Sequence, residues 1–395
     1  MVSDLAKNIT PSATCELEGT VADLRTEGID VIEMNAGEPD FLTPPTIISA
    51  CETAMEQGKL KYVNVNGIVE LRKAITLKLE KDNHLSYDPA QICVSTGAKQ
   101  ALFNAVMALV NPSDEVLIPI PGWVSYSEMV KMARGIPVYV DTKEDFHLDL
   151  KKVREAVTDK TKLIIINSPN NPTGAVYTKE ELTELAKLAC EKDFYILSDE
   201  VYEKYIYGGK KHFSIAEVSA DAYNRTVVIN GFSKAYAMTG WRIGYSAAGK
   251  EIASAISAIQ GHITSNSTTM VQWAAIEALA SGEEKVPSMM QKFQERRSYT
   301  LKRLQALPNV VCNEVDGAFY YMADFSAYLN RKLPDGKTID SAAELCDFLL
   351  KDAHVALVPG EAFLAPGKIR FAYTNSVENI QIGMDRIEEA LKKIK

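Results

Sequence analysis

Four segments of this 395-residue chain set a reactive or charged side chain at the point where an apolar run has just ended. In DFYILSDEVY (193–202) Asp199 follows the run FYIL, so its carboxylate belongs either to a site at the end of a strand or to a solvated loop. In NGFSKAYAMTGWRIGY (230–245) Lys234 sits among small, hydroxyl and aromatic residues just beyond TVVIN. A lysine there is either a surface cation or a partly buried amine of lowered proton affinity, which imine chemistry needs, and the local context favours the second. Arg242, eight residues on, is placed to reach an anion beside it. In LIIINSPNNPTGAVY (163–177) the Pro, Asn and Gly cluster demands a turn of defined shape, and Asn171 offers its amide there. In STGAKQ (95–100) a strand gives way to a helix, whose unpaired N–H groups attract phosphate.

These segments need elements to position them. From about residue 90 the chain alternates short β-rich runs with helical patterns. Strands are expected at 91–95, 115–120, 136–140, 162–166, 193–198 and 225–230. Helices are expected at 98–110, 124–133 and 178–192, the last opened by a capping box of Thr178 and Glu181. Near-continuous apolar strands between helices mean a mostly parallel sheet covered on both faces, with ligands at the carboxyl ends of its strands. After about residue 283 the pattern changes to a long polar helix (283–306), strands near 310–323, a helix at 341–352, strands at 355–358 and 368–373, and a final helix over 377–395. That reads as a second α/β unit joined by the N-terminal segment.

Composition narrows the chemistry. The net charge is −9, so neither nucleic acid nor an anionic membrane is an expected partner, and an anionic ligand needs locally placed cations. The N-terminus lacks a signal-type apolar core and no run reaches membrane-spanning length, which makes the cytoplasm the expected compartment. Six scattered cysteines without a CxxC pair read as reduced core residues, and five dispersed histidines without HxH or HExxH spacing argue against a catalytic metal.

One ligand uses a lysine amine, an acid, a hydrogen-bonding amide and a phosphate cradle together: pyridoxal 5′-phosphate. The ordered strings PSAT (11–14), NAGEPDF (35–41), GIVELRKAI (67–75), GAKQALF (97–103), WVSY (123–126), NSPNNPTGAVY (167–177), SDEVYE (198–203), SKAYAMTGWRIGY (233–245), GAFY (317–320) and KIRFAY (368–373) resemble the class I, fold-type I aminotransferases. The likeness is nearest to the bacterial-type aspartate enzymes and covers nearly the whole chain. The resemblance implies an α/β fold-type I architecture: a large domain at 46–285 with a mostly parallel seven-stranded sheet, a small domain at 286–395, and an N-terminal segment at 1–45 that joins it. It implies Lys234 as the Schiff-base lysine and proton carrier, and Asp199 as the partner of the pyridinium nitrogen. Asn171 and Tyr202 would contact the ring oxygen, and Trp123 would stack on the ring. Arg242, Ser233 and the backbone at Ala98 and Lys99 would take the phosphate. Tyr62 would reach the phosphate of a neighbouring subunit, so a homodimer with shared sites is implied. Arg370 would bind the α-carboxylate and Gly37 would lie against the substrate. Many relatives carry a phosphate-binding serine three residues before the lysine; here that position is Gly231.

For the second carboxylate the resemblance implies Lys99, Ser12 and Thr14, and hence aspartate and 2-oxoglutarate as substrates. Charged hydrogen bonds of about 1.5–3 kcal/mol each would separate aspartate from alanine by about one to four decades. Read as a phosphate contact only, Lys99 would leave a broader enzyme acting on aromatic, alanine or prephenate substrates. Prephenate-accepting relatives carry a basic residue before PSAT, where this chain has Thr10. A carbon–sulfur lyase on the same cofactor and a ligand-sensing module are the remaining alternatives; the second would need a DNA-binding segment.

Overall fold

The computed structural model of the chain describes residues 2–11 and 13–395, with the side chains of 13–15 and 283 outside that description. Its strands are β1 (Ile32–Glu33), β2 (Ile92–Ser95), β3 (Glu115–Ile120), β4 (Ile136–Asp141), β5 (Thr161–Asn167), β6 (Tyr195–Asp199), β7 (Thr226–Gly231), β8 (Gly244–Ala247), β9 (Tyr320–Asp324), β10 (Val355–Ala356), β11 (Val358–Pro359) and β12 (Lys368–Ala372). Seven of them form one sheet in the order β2-β8-β7-β6-β5-β3-β4. The pairs β3–β4, β3–β5, β5–β6 and β6–β7 are parallel, whereas β8 runs antiparallel to both β7 and β2. All six residues of β7 are buried, as a strand covered on both faces requires.

Helices cover that sheet. The helix Lys179–Lys192 starts at the expected capping box: Thr178 Oγ1 accepts from the Glu181 N–H, and the Glu181 carboxylate accepts from the Thr178 N–H. Its buried stripe, Leu182, Leu185, Ala186 and Ala189, follows the three-and-four spacing of a helix packed on a sheet. The helix Ala98–Leu109 buries Ala101, Leu102, Ala105 and Val106 in the same manner.

Register sets the functional edge. Asn167 lies opposite Asp199, Asp199 opposite Ile229, Gly231 opposite Gly244, and Gly244 opposite Ser95. The carboxyl ends of β2, β5, β6 and β7 therefore share one rim of the sheet, and the loops that leave them converge there.

The remaining strands form a three-stranded antiparallel sheet, β11-β12-β9, and a short parallel pair, β1 with β10. Strands near 310–323 were expected; only Tyr320–Asp324 is one, with two isolated bridges before it, Val311 to Asp324 and Gly317 to Ile206. The reason is Gly317, whose missing Cβ would lie 2.5 Å from Pro169 and 2.6 Å from Val176. The chain there is committed to packing on the 168–176 loop, not to a ladder. The long helix runs Val286–Ala306, with Pro287 in its first turn. From it Arg296 makes two 2.7 Å bonds to the Asp40 carboxylate and lies between the Phe41 and Phe293 rings, tying the N-terminal segment to this helix.

Candidate active site

A cavity of about 580 Å³ opens at the shared rim. Its wall includes Gly37, Ala98, Lys99, Trp123, Asn171, Asp199, Tyr202, Ser233, Lys234, Arg242 and Arg370, brought together from segments up to 333 residues apart in sequence. Tyr62 is not part of this wall; it stands 90% exposed on the surface. Ser12 and the side chain of Thr14 lie outside the description. A larger and more apolar cavity of about 780 Å³ shares Lys99, Trp123 and Arg242 with it, and its acid–amine pair, Glu128 with Lys131 at 2.8 Å, is a partly exposed ion pair.

Asp199 closes β6 and is 4% exposed. Its Oδ2 accepts a 2.7 Å bond from the Tyr126 hydroxyl, and Oδ1 accepts from the Val201 N–H at 3.3 Å. Burial pushes its pKa up to about 6 against those two donors. Lys234, in the loop after β7, donates from Nζ to the Gly37 carbonyl at 2.5 Å. Burial lowers its pKa to about 8; Glu38 opposes the shift, and Arg370 and Arg242 reinforce it. An amine and an acid moved toward neutrality from opposite sides are what proton transfer near pH 7 requires.

Arg370 is 2% exposed and has no carboxylate partner among the described residues. One terminal nitrogen donates to Asn171 Oδ1 at 3.0 Å and the other to the Asn35 carbonyl at 2.7 Å, while buried Nε has no acceptor. The guanidinium lies 4.5 Å over the Tyr320 ring and 5.1 Å from the centre of Phe363. A desolvated cation on a cavity wall, without a carboxylate of its own, is a seat for one. Tyr202 and Tyr320 share a 3.0 Å hydroxyl bond beside it. The Lys99 ammonium lies 5.0 Å from the Trp123 ring centre, facing both cavities.

The rim beside the helix Ala98–Leu109, where a phosphate was expected, is built from close backbone contacts. Gly97 (φ +84°) precedes the helix Ala98–Leu109, and a Cβ on it would lie 2.6 Å from an Arg242 nitrogen. A Cβ on Gly244 would lie 2.4 Å from the Ala98 nitrogen, so glycine lets β8 approach the helix terminus. Gly231 faces Gly244 across the ladder, where a Cβ would stand 3.3 Å from the Gly244 Cα. A side chain at 231 would need that neighbour to give way by a few tenths of an ångström. Arg242 itself adopts φ +55° and donates to the Thr239 carbonyl.

These residues fit pyridoxal phosphate. The buried carboxylate suits a ring nitrogen, the buried amine suits an aldehyde, and the glycine-lined helix terminus with Arg242 suits a phosphate. Four wall or near-wall residues escaped the sequence reading: Tyr126, Tyr320, Asn35 and Asn167, whose side-chain amide donates to the Asp199 carbonyl at 2.9 Å. All four stood inside recognised strings, NAGEPDF, WVSY, NSPNNPTGAVY and GAFY, the one signal that marked them. Among the described residues one metal-type trio converges away from the sequence spacing: Glu200, Glu203 and His212. Lys78 already pairs with Glu203, and Ser198 and Ser214 donate to Glu200.

Comparison with known proteins agrees with this geometry. The family model described as aminotransferase class I and II matches residues 29–387. An aspartate aminotransferase of Bacillus sp. strain YM-2 is 42% identical over 394 residues, 99% of each chain. A protein of Aquifex aeolicus named probable aspartate/prephenate aminotransferase is 44% identical over 98% of each chain. The structure of the Thermus thermophilus aspartate aminotransferase with maleate superposes with a TM-score of 0.93 at 40% identity, covering 99% of each chain.

Proposed function

The chain belongs to the class I and II aminotransferases, and from that premise we propose that it moves the amino group of L-aspartate to 2-oxoglutarate, reversibly and in alternating half-reactions on pyridoxal 5′-phosphate. The observation that carries this reading is the buried Arg370 guanidinium, without a carboxylate partner among the described residues, held in one cavity with Asp199 and Lys234.

When bound, the cofactor supplies an electron sink that lets the substrate's Cα–H bond break heterolytically. The protein's own work is division of labour. Asp199 would pair with the ring nitrogen. Asn171 and Tyr202 would hydrogen-bond the ring oxygen, and Trp123 would cover a ring face. Arg242, Ser233 and the N–H groups at Ala98 and Lys99 would hold the phosphate. Arg370 takes the α-carboxylate in a two-bond fork and so aims Cα–H at Lys234. Lys234 Nζ would hold the cofactor's aldehyde end, and the same amine is placed to take the proton from the substrate's Cα, for which its lowered pKa suits it. Gly37 presents its carbonyl to the same amine. Lys99, with Ser12 and Thr14, is assigned the distal carboxylate. We read the polypeptide as an N-terminal segment (1–45), a large cofactor domain (46–285) and a small domain (286–395), supported by the pairing of β1 with β10.

A panel of amino donors with 2-oxoglutarate tests the reading. Aspartate is expected to exceed alanine and aromatic donors in kcat/KM, and Lys99→Ala to lose about one to two decades with aspartate but little with alanine. Equal loss with both donors assigns Lys99 to the phosphate. Keto acid formed from a cysteine conjugate without any acceptor would replace transamination by lyase chemistry. Turnover of prephenate would widen the substrate range to that named for the Aquifex relative.

A further inference from the structure

Asp199 needs to stay ionised although the fold surrounds it almost completely, and one side chain answers that need. Tyr126 lies on the helix Ser125–Met132, is 3% exposed, and donates its hydroxyl to Asp199 Oδ2 at 2.7 Å. The other carboxylate oxygen has only the longer 3.3 Å bond from the Val201 N–H. The same phenol ring meets Trp123 edge to face at 5.3 Å. A single residue thus braces both the acid and the indole of the cavity wall.

We propose that Tyr126 is a positioning residue that keeps Asp199 in its ionised form and fixes the aim of its carboxylate, with Trp123 held by the same ring. This rests on the reading that Asp199 serves the cofactor's ring nitrogen. The physical argument concerns protons. A phenol donates a strong bond to a carboxylate and a weaker one to a carboxylic acid, so the contact favours the charged state. The backbone of Asp199 is already fixed, since its carbonyl accepts from the Asn167 side chain and the Ser168 N–H. What Tyr126 adds is therefore control of the carboxylate itself. The other titratable groups facing it divide in sign. Glu200, next in the chain, opposes ionisation, while Lys234 across the cavity favours it. Tyr202 faces it from the loop after β6, and Tyr177 neighbours Tyr126. Glu200 is itself paired with His212 at 2.9 Å. Of this set Tyr126 alone gives Asp199 a side-chain hydrogen bond among the described residues.

The test uses Tyr126→Phe, which keeps the ring against Trp123 and removes only the hydroxyl, beside Asp199→Asn. In apoprotein labelled with 13C at aspartate carboxyls, the Asp199 resonance is the one lost in Asp199→Asn. Its titration midpoint is expected to rise by about one pH unit or more in Tyr126→Phe. Equilibrium binding of pyridoxal phosphate is expected to weaken about tenfold near pH 6 and to converge on the wild type near pH 8, with the acid limb of kcat moving in step. Replacing Tyr126 by 3-fluorotyrosine, a stronger donor of nearly the same shape, is expected to move the midpoint down; this arm decides the matter if the Phe variant folds poorly. An unmoved midpoint, or a loss equal at every pH, makes Tyr126 a core tyrosine only and overturns the proposal. If Asp199→Asn binds cofactor and turns over like the wild type, the underlying assignment of Asp199 fails instead.

Discussion

Lys234 and Asp199 carry a shared prediction about proton affinity. Each is displaced from its ordinary value because burial disfavours its charged form: the acid rises to about 6 and the amine falls to about 8. Covalent capture of pyridoxal phosphate by the apoprotein needs the neutral amine. Its second-order rate is therefore expected to rise about tenfold per pH unit up to about pH 8 and to flatten above it, rather than near 10.5 as for a solvated lysine. Stopped-flow absorbance of apoprotein mixed with cofactor, scanned over pH, reads this directly; a midpoint near 10 would mean an exposed amine. For folding the signs are equally definite. The lysine's lowered pKa costs the folded state fully below about 8, a cost relieved as pH rises toward 10.5. The acid's raised pKa costs stability above about 6 and is relieved below 3.8. Both groups oppose folding at neutral pH, as groups kept for chemistry do. At this scale most of the site was legible, because Lys234, Asp199, Asn171 and Arg370 each follow a readable apolar strand or sit in an ordered string. Tyr126 was not, since a tyrosine in an amphipathic helix reads as core until the partner across the sheet is known.

At the scale of elements the site depends on how closely backbones approach. The six strands read from apolar runs all exist, with ends shifted by a residue or two; Asp199 turned out to be the last residue of its strand, not the first of the loop. The seventh strand, β8, could not be read from its residues, because Gly-Tyr-Ser-Ala has neither an apolar run nor alternation. Its place is fixed by tertiary contact: glycine at 244 allows β8 to pass within Cβ reach of the Ala98 nitrogen. Gly244→Ala is expected to push the helix terminus away from the phosphate position, weakening cofactor affinity at least tenfold and costing about 1–3 kcal/mol of stability. Fluorescence titration of apoprotein with cofactor, beside thermal melts, checks both. Unchanged affinity would show that β8 yields without moving the cradle.

At the scale of the whole molecule, Tyr62 bears on how many chains make one site. Tyr62 is 90% exposed and Leu60 56% exposed on a segment anchored from behind, where Thr269 donates to the Lys61 carbonyl and Asn266 accepts from the Val63 N–H. An exposed but well-held aromatic suits contact with a second copy, as the resemblance implied. Subunit mixing of Tyr62→Ala with Lys234→Ala decides it. A hybrid dimer that takes Tyr62 from the neighbour rebuilds one native site, so activity is expected to appear on mixing and to approach half that of the wild type per hybrid. If mixing restores nothing, Tyr62 serves its own chain or none. Among the described residues no helix is long and apolar enough to cross a membrane.

The central claim is that Lys234 is the covalent seat of pyridoxal phosphate. Borohydride reduction of the cofactor-loaded protein, followed by proteolysis and peptide mass spectrometry, tests it most directly. The account predicts a phosphopyridoxyl group on Lys234 in near-stoichiometric yield, absent from Lys234→Ala together with transamination. A label fixed on another lysine, with Lys234→Ala still turning over at the wild-type rate, would contradict it.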